Sequence, residues 1–318
     1  NNRRVLPWRV SKKSPKKLYY RLLSEFMLQQ TQVKIVLPYF RNFLINFPTL
    51  ESLSRSNEKK VLKLWEGLGY YRRARNLLAT SKMLIKELNS KLPKRLIDVK
   101  KLPGIGNYTA NALLAFIHDL PTIAIDGNVR RVFSRILNKN ENELDFNKLI
   151  EINKKNLFKT KRNSDLVEAL MEFGALICKP KKPACLKCDI KNICKYYKSD
   201  QKFKQIKKNK PKEKNYNIFC YIDKTKGKIA LTKKHNLGFL KKFYLPPIKE
   251  VESKNKVKNW NYHSKFKNSI SNKKLNINLY YKFSSKIPFQ SQWFSLKENN
   301  EFIPSFTKKI FKQLSNIN

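Results

Sequence analysis

Across residues 18–27 the apolar pairs Leu18/Tyr19, Leu22/Leu23 and Phe26/Met27 recur every four positions. Val33, Val36, Leu37, Phe40, Leu44 and Phe47 keep the same helical spacing until Pro48, so packed helices are predicted on both sides of residue 30. A further run over 61–65 stops at Gly67 and Gly69, helix resumes from Tyr71, and residues 163–177 form another helix. The stretch 199–215, SDQKFKQIKKNKPKEKN, is basic and almost free of large apolar side chains, which reads as a solvated linker. Beyond it the period becomes two. Leu275, Ile277, Leu279, Tyr281 and Phe283 alternate with Asn276, Asn278, Tyr280 and Lys282, a strand with one buried face. Shorter strands are predicted at 218–222 and 229–232, and an amphipathic helix after Pro304 from Phe306, Ile310, Phe311 and Leu314. The pattern predicts a multidomain chain: an all-α domain over 1–198, a linker over 199–215, and a smaller α+β domain over 216–318.

Charge changes that picture from fold to partner. The 318 residues carry 69 Lys+Arg against 23 Asp+Glu, a formal net charge of +46, which points to a polyanion. A hydrophobic content of 41% argues for a folded basic protein rather than a disordered tail. The most apolar run, 113–117, is far too short for a membrane span, so a transmembrane protein is excluded. The chain begins at Asn1 rather than Met, which leaves an upstream segment, including a removed organellar targeting segment, open.

Four of the five cysteines fall within seventeen residues: Cys178, Cys185, Cys188 and Cys194, spaced C-x6-C-x2-C-x5-C. This usage argues against a secreted disulfide scaffold and for a reducing compartment. One short loop with four thiols suits a compact metal centre, and spacing alone leaves iron–sulfur and structural zinc both open. Cys220 lies in a predicted strand and is read as core.

Two carboxylates and a glycine turn carry the remaining candidate chemistry. Gly104 and Gly106, in Leu-Pro-Gly-Ile-Gly before Asn107 and Tyr108, make a tight turn ahead of a helix whose backbone N–H groups can approach a phosphate. Asp126 precedes a predicted helix and by itself reads first as an N-cap. Glu25 sits among Leu22, Leu23, Phe26 and Met27; alone it reads as an exposed helical Glu, while burial there would raise its pKa enough to hold a proton at neutral pH.

In that order, Ser-Glu25-Phe-Met-Leu-Gln-Gln30-Thr31-Gln, Gly-Leu-Gly-Tyr70-Tyr, the hairpin at 102–106, Ile-Asp126-Gly-Asn128 and the cysteine loop resemble the MutY family of helix-hairpin-helix DNA glycosylases, related to endonuclease III. The resemblance is strong over about residues 5–197. It implies one four-iron four-sulfur (4Fe-4S) cluster on Cys178, Cys185, Cys188 and Cys194, with Lys179, Lys181, Lys182 and Lys187 facing DNA phosphates. It implies that Glu25 protonates a departing adenine, that Asp126 stabilises the sugar cation, and that Asn128 holds that carboxylate or a water. Trp8 and Arg9 would stand at the mouth of the adenine pocket, with Glu168 on an adenine edge. Gln30 and Thr31 would push into the duplex, and Tyr70 would wedge beside the lesion.

Where endonuclease III relatives place a nucleophilic Lys, this chain has Tyr108, which cannot form a Schiff base, so a monofunctional enzyme is implied. Residues 237–246 resemble the MutT-like, Nudix-like domain that reads 8-oxoguanine. There the family's Phe-Ser-His becomes Ile270-Ser271-Asn272, keeping Ser271 and reducing the expected preference for the oxidised base. The resemblance implies a monomeric base-excision enzyme acting on double-stranded DNA with adenine opposite 8-oxoguanine or guanine, cytoplasmic and nucleoid-associated if bacterial. The alternatives are an endonuclease III-type glycosylase/lyase and a non-catalytic, metal-stapled DNA-binding module.

Overall fold

The computed structural model describes residues 4–159, 162–200, 212–237, 240, 243–252, 257–270, 273–297, 302–314 and 317. Ser271 and Asn272, most of the predicted linker, and Gly238, Phe239, Lys241 and Lys242 of the MutT-like motif lie outside the described residues. The chain divides into two compact units, Asn1–Lys207 and Lys208–Asn318.

The first unit is helical. In order, its elements are α1 (Lys17–Leu28), α2 (Val33–Asn46), α3 (Leu50–Ser54), α4 (Glu58–Leu64), α5 (Arg72–Glu87) and α6 (Leu96–Val99). They continue with α7 (Asn107–His118), α8 (Gly127–Leu137), α9 (Phe146–Ile152), α10 (Lys154–Leu157), α11 (Asn163–Leu176) and α12 (Lys195–Lys198). Side-chain caps set several starts. Thr49 and Ser52 form a reciprocal capping box on α3, Asn57 Oδ1 accepts from Lys60 N at 2.9 Å on α4, and Asp126 caps α8. The core contains Leu22, Leu23, Phe26 and Met27 of α1, Phe40 and Phe43 of α2, Trp65, Leu77 and Leu84, all fully buried. α1 packs against α2, α5 and α7, and α11 packs against α7 and α8. Because α1 is enclosed on several sides, nearly every residue from Tyr19 to Met27 is buried, polar ones included.

The second unit is a mixed sheet with one described helix. Its strands are β1 (Lys212–Asp223), β2 (Lys228–Thr232), β3 (Ile248–Val251), β4 (Asn261–Ile270), β5 (Lys273–Phe283) and β6 (Ser291–Ser295), followed by α13 (Ser305–Leu314). The order is β4-β5-β1-β2-β6, with β3 also paired to β1. β1 and β5 run parallel over eleven paired positions, while the other pairings are antiparallel. Alternation places Tyr216, Ile218, Cys220 and Ile222 of β1, and Leu275, Ile277 and Leu279 of β5, in the core. α13 buries Phe306, Ile310, Phe311 and Leu314 and is tied to β4 by Gln313 O and His263 Nε2 at 2.7 Å. β1 starts at Lys212, so residues 212–215 are strand, although their composition reads as linker.

Candidate active site

Glu25 lies in the penultimate turn of α1 and is 5% exposed. The packing that buries its apolar neighbours removes the carboxyl from water too. That burial raises its pKa to about 7. Arg21, one turn earlier, and the phenol of Tyr108 pull the value down, while Asp126 and Glu168 push it up. Its Oε2 is buried and without a hydrogen-bond partner. Tyr108 stands in the first turn of α7, packed against the apolar group of Ala112, Ala115, Phe116, Ala124 and Val167. Burial, with Glu25 and Asp126 close by, keeps its phenol protonated well above its usual range. The exposed-Glu reading is therefore set aside by helix enclosure, and Glu25, Tyr108 and Asp126 are brought together.

Asp126 is the N-cap of α8. Oδ1 accepts from Asn128 N at 2.9 Å and Val129 N at 2.7 Å, and Oδ2 accepts from Asn128 Nδ2 at 2.8 Å. Capping thus fixes the Asp126 carboxylate at the positive end of α8. The network continues. Arg131 Nη2 donates to Asn128 Oδ1 at 2.9 Å and to Gly174 O at 2.6 Å, and its Nε donates to Cys178 O at 2.8 Å. Gly174 permits this approach, since a Cβ there would stand 2.6 Å from Asn128 Cβ.

The segment before α1 is fastened to α11 by ion pairs. Glu168 is 4% exposed and pairs with Arg21 and with Arg9 Nε at 3.3 Å. Glu172 accepts from Arg4 Nε and Nη2 and from Arg9 Nη2 at 2.9 Å. Arg21 also lies over the Phe116 ring at 4.4 Å. Two expected pocket residues already have partners within the protein. Glu168, read as an adenine-edge contact, is committed to two arginines. Trp8, read as the mouth of the pocket, is 3% exposed and packs edge-to-face on Phe40 at 5.2 Å, because the aromatic face of α2 needs a cover. The Arg9 guanidinium is engaged by Glu168 and Glu172 of α11.

Gln30 and Tyr70 present different geometry. Both are exposed and both have left-handed backbone, φ +59° and +49°; Thr31 follows Gln30 in the loop between α1 and α2. Gly104 is also left-handed, φ +76°, and a Cβ there would meet Asn76 at 2.3 Å. Gly106 is the extended N-cap of α7, where a Cβ would meet nothing. Lys179, Lys181, Lys182 and Lys187 are exposed.

Cys178, Cys185, Cys188 and Cys194 are free thiols lining one small cavity of about 30 Å³ with Val132, Phe173 and Tyr197. Burial raises the Cys188 pKa, and the other three cysteines add to it. Arg135, on α8, donates to Cys178 Sγ at 3.3 Å and to Lys179 O at 2.7 Å. Four thiols with a cation beside them suit a metal group that deprotonates its ligands, although no three such side chains among the described residues are grouped to hold a metal ion. Arg4, Arg21, Arg131 and Arg135 were not singled out by sequence, and Glu172 and Gly174 stood there only as part of the run that precedes Cys178. The one signal was Arg21, a helical turn before Glu25.

Comparison with known proteins follows the same lines. Residues 23–155 match the family model for HhH-GPD superfamily base excision DNA repair protein. The adenine DNA glycosylase of Buchnera aphidicola subsp. Baizongia pistaciae is 35% identical, the match covering 99% of this chain and 94% of that protein. That of Buchnera aphidicola subsp. Acyrthosiphon pisum is 31% identical over 99% of this chain and 89% of its own length. A solved thermostable thymine-DNA glycosylase shares the fold, with a TM-score of 0.54 at 26% identity over 61% of this chain and 89% of that one. Residue order, helical fold and near full-length similarity agree that the chain belongs to the adenine DNA glycosylase family of the HhH-GPD superfamily.

Proposed function

We propose that this protein removes adenine mispaired with 8-oxoguanine or guanine from double-stranded DNA, hydrolysing the N-glycosidic bond and leaving an abasic site. The observation that carries the reading is the buried Glu25 carboxyl, its pKa raised to about 7 and its Oε2 without a partner, beside Tyr108 and Asp126. Near neutral pH such a carboxyl is poised to give a proton to the departing base and then to take one from water. Asp126, held by α8 and Asn128, faces the positive charge that develops on the sugar. Tyr108 occupies the place where a lyase needs an amine, so base release is not followed by strand cleavage. Gln30, Thr31 and Tyr70 engage the extruding strand, and Gly104 and Gly106 hold a phosphate at the start of α7. The described lysines of the cysteine loop meet further phosphates.

The four cysteines would hold a 4Fe-4S cluster, which staples the loop and leaves the chemistry to the carboxylates. The second unit would be a divergent MutT-like domain that reads the opposite base, with Ser271 contributing. The enzyme would act as a monomer on double-stranded DNA, in the cytoplasm and on the nucleoid if it is bacterial.

The test is single-turnover incubation with a duplex carrying adenine opposite 8-oxoguanine. Free adenine, a strand that breaks only after alkali or heat, and no borohydride-trapped adduct are expected. Binding without adenine release would reduce the protein to a DNA-binding module, and efficient trapping would make it a lyase. Protein prepared anaerobically should be brown and contain iron with inorganic sulfide; stoichiometric zinc without sulfide would overturn the cluster assignment.

A further inference from the structure

Arg73, at the start of α5, is 6% exposed, and among the described residues no carboxylate pairs with it. Its guanidinium donates instead to main-chain carbonyls of two segments far apart in sequence. Nη1 reaches Phe26 O at 3.1 Å, Met27 O at 2.7 Å and Gln29 O at 2.6 Å; Nη2 reaches Leu68 O at 3.3 Å and Gly69 O at 3.2 Å. The cation also lies over the rings of Trp65 at 5.5 Å and Tyr70 at 5.4 Å, and Trp65 Nε1 donates to Gly69 O at 3.1 Å. Burial lowers its pKa to about 10, so it remains charged at neutral pH.

These acceptors are the last turn of α1, directly after Glu25, the lead into the Gln30 loop, and the turn before Tyr70. At each of the two loops a non-glycine residue is held in left-handed backbone, a conformation that persists only where the surroundings over-determine it. The planar fork of an arginine can serve carbonyls on both sides at once; a lysine ammonium cannot. A cation whose only role was to cap α1 would have no reason to reach the second segment.

We propose that Arg73 is a positioning residue: it fixes the spacing between the Gln30–Thr31 loop and the Tyr70 turn, and registers both against the helix end that carries Glu25. The path by which the adenine leaves the duplex is then set by one guanidinium, while Glu25 itself is held by the enclosure of α1. The inference rests on the reading of the chain as an adenine-excising enzyme.

Arg73→Lys tests it, since charge is kept and the fork is lost. Single-turnover rates are compared on duplexes with adenine opposite guanine and with adenine opposite an abasic spacer, where no pairing resists extrusion. The variant should slow about tenfold or more on the mispair and stay within about threefold of wild type on the spacer duplex. A 2-aminopurine in the target position should also brighten more slowly on binding. Equal losses on both duplexes, or no loss on the mispair, would overturn the proposal. Should Arg73→Lys fail to fold, Trp65→Phe removes the indole bond to Gly69 and is expected to give the same ordering; its absence would count equally against the idea. Failure of wild type to release adenine from either duplex would instead remove the functional reading.

Discussion

At the scale of single residues, the raised pKa of Glu25 couples its proton to stability. Its ordinary value near 4.5 in the unfolded chain rises to about 7 when folded. Between those values the folded protein holds a proton that the unfolded chain has lost, so stability from this group is present at low pH and falls as pH rises towards 7. The difference corresponds to about 3 kcal/mol above pH 7. Glu25→Gln has no charge to desolvate. It should abolish adenine release with DNA binding largely kept, and at pH 8 it should melt above wild type, the gap closing towards pH 5. Thermal melts across that range check this; a variant less stable than wild type at pH 8 would contradict it. In wild type, single-turnover rates should fall above pH 7 as the acid form is lost. Asp126→Asn separates its two roles differently. Asn is an equally good N-cap, so the melting temperature should move little while adenine release collapses; activity within about threefold of wild type would end the catalytic assignment.

At the scale of elements, the active site depends on how closely α11 approaches α8. Gly174 has no side chain where a Cβ would lie 2.6 Å from Asn128 Cβ and 3.0 Å from Asn128 O. Gly174→Ala improves helix propensity but must push the first turn of α8 aside, at a cost of about 1–3 kcal/mol. Asp126, Asn128 and Arg131 belong to that turn or the next. Adenine release should therefore slow about tenfold or more, with the affinity for duplex DNA nearly unchanged. Single-turnover kinetics at saturating enzyme and a binding titration measure the two; a faster or unaltered release step would mean that this contact does not position the site. Elements also differed in how legible they were. α11 and α13 were evident from apolar spacing, as was β5. β4, Asn-Tyr-His-Ser-Lys-Phe-Lys-Asn-Ser-Ile, was not, because it lies at one end of the sheet order and has no fully buried residue. An edge strand with both faces partly wet carries little hydrophobic alternation to read.

At the scale of the whole molecule, the two units divide the proposed work. Glu25, Tyr108, Asp126 and the four cysteines belong to the first unit, so a chain ending at Lys207 should still release adenine slowly. It should lose its preference for 8-oxoguanine over guanine, which in the full chain is itself expected to be small with Ile270 and Asn272 flanking Ser271. Rates and affinities on the two mispairs, full chain against truncated, test this. Salt must be fixed, because a net charge of +46 makes non-specific DNA affinity fall steeply with ionic strength. Undiminished discrimination after truncation would show that the second unit does not read the lesion.

The sequence by itself determined the helical and sheet halves, the candidate carboxylates, the cysteine set and the likeness to one glycosylase family, because periodicity and short motifs are local properties of a chain. The tertiary structure decided what depends on residues far apart. Enclosure of α1 turned Glu25 from a surface carboxylate into a buried one with a raised pKa, and Asn128 and Arg131 joined Asp126 to the backbone of Cys178. Arginines at positions 9 and 21 claimed Glu168, packing on Phe40 claimed Trp8, and Arg73 tied two loops together. Burial and hydrogen-bond partners are set by which helices meet, and no local pattern in a sequence records that.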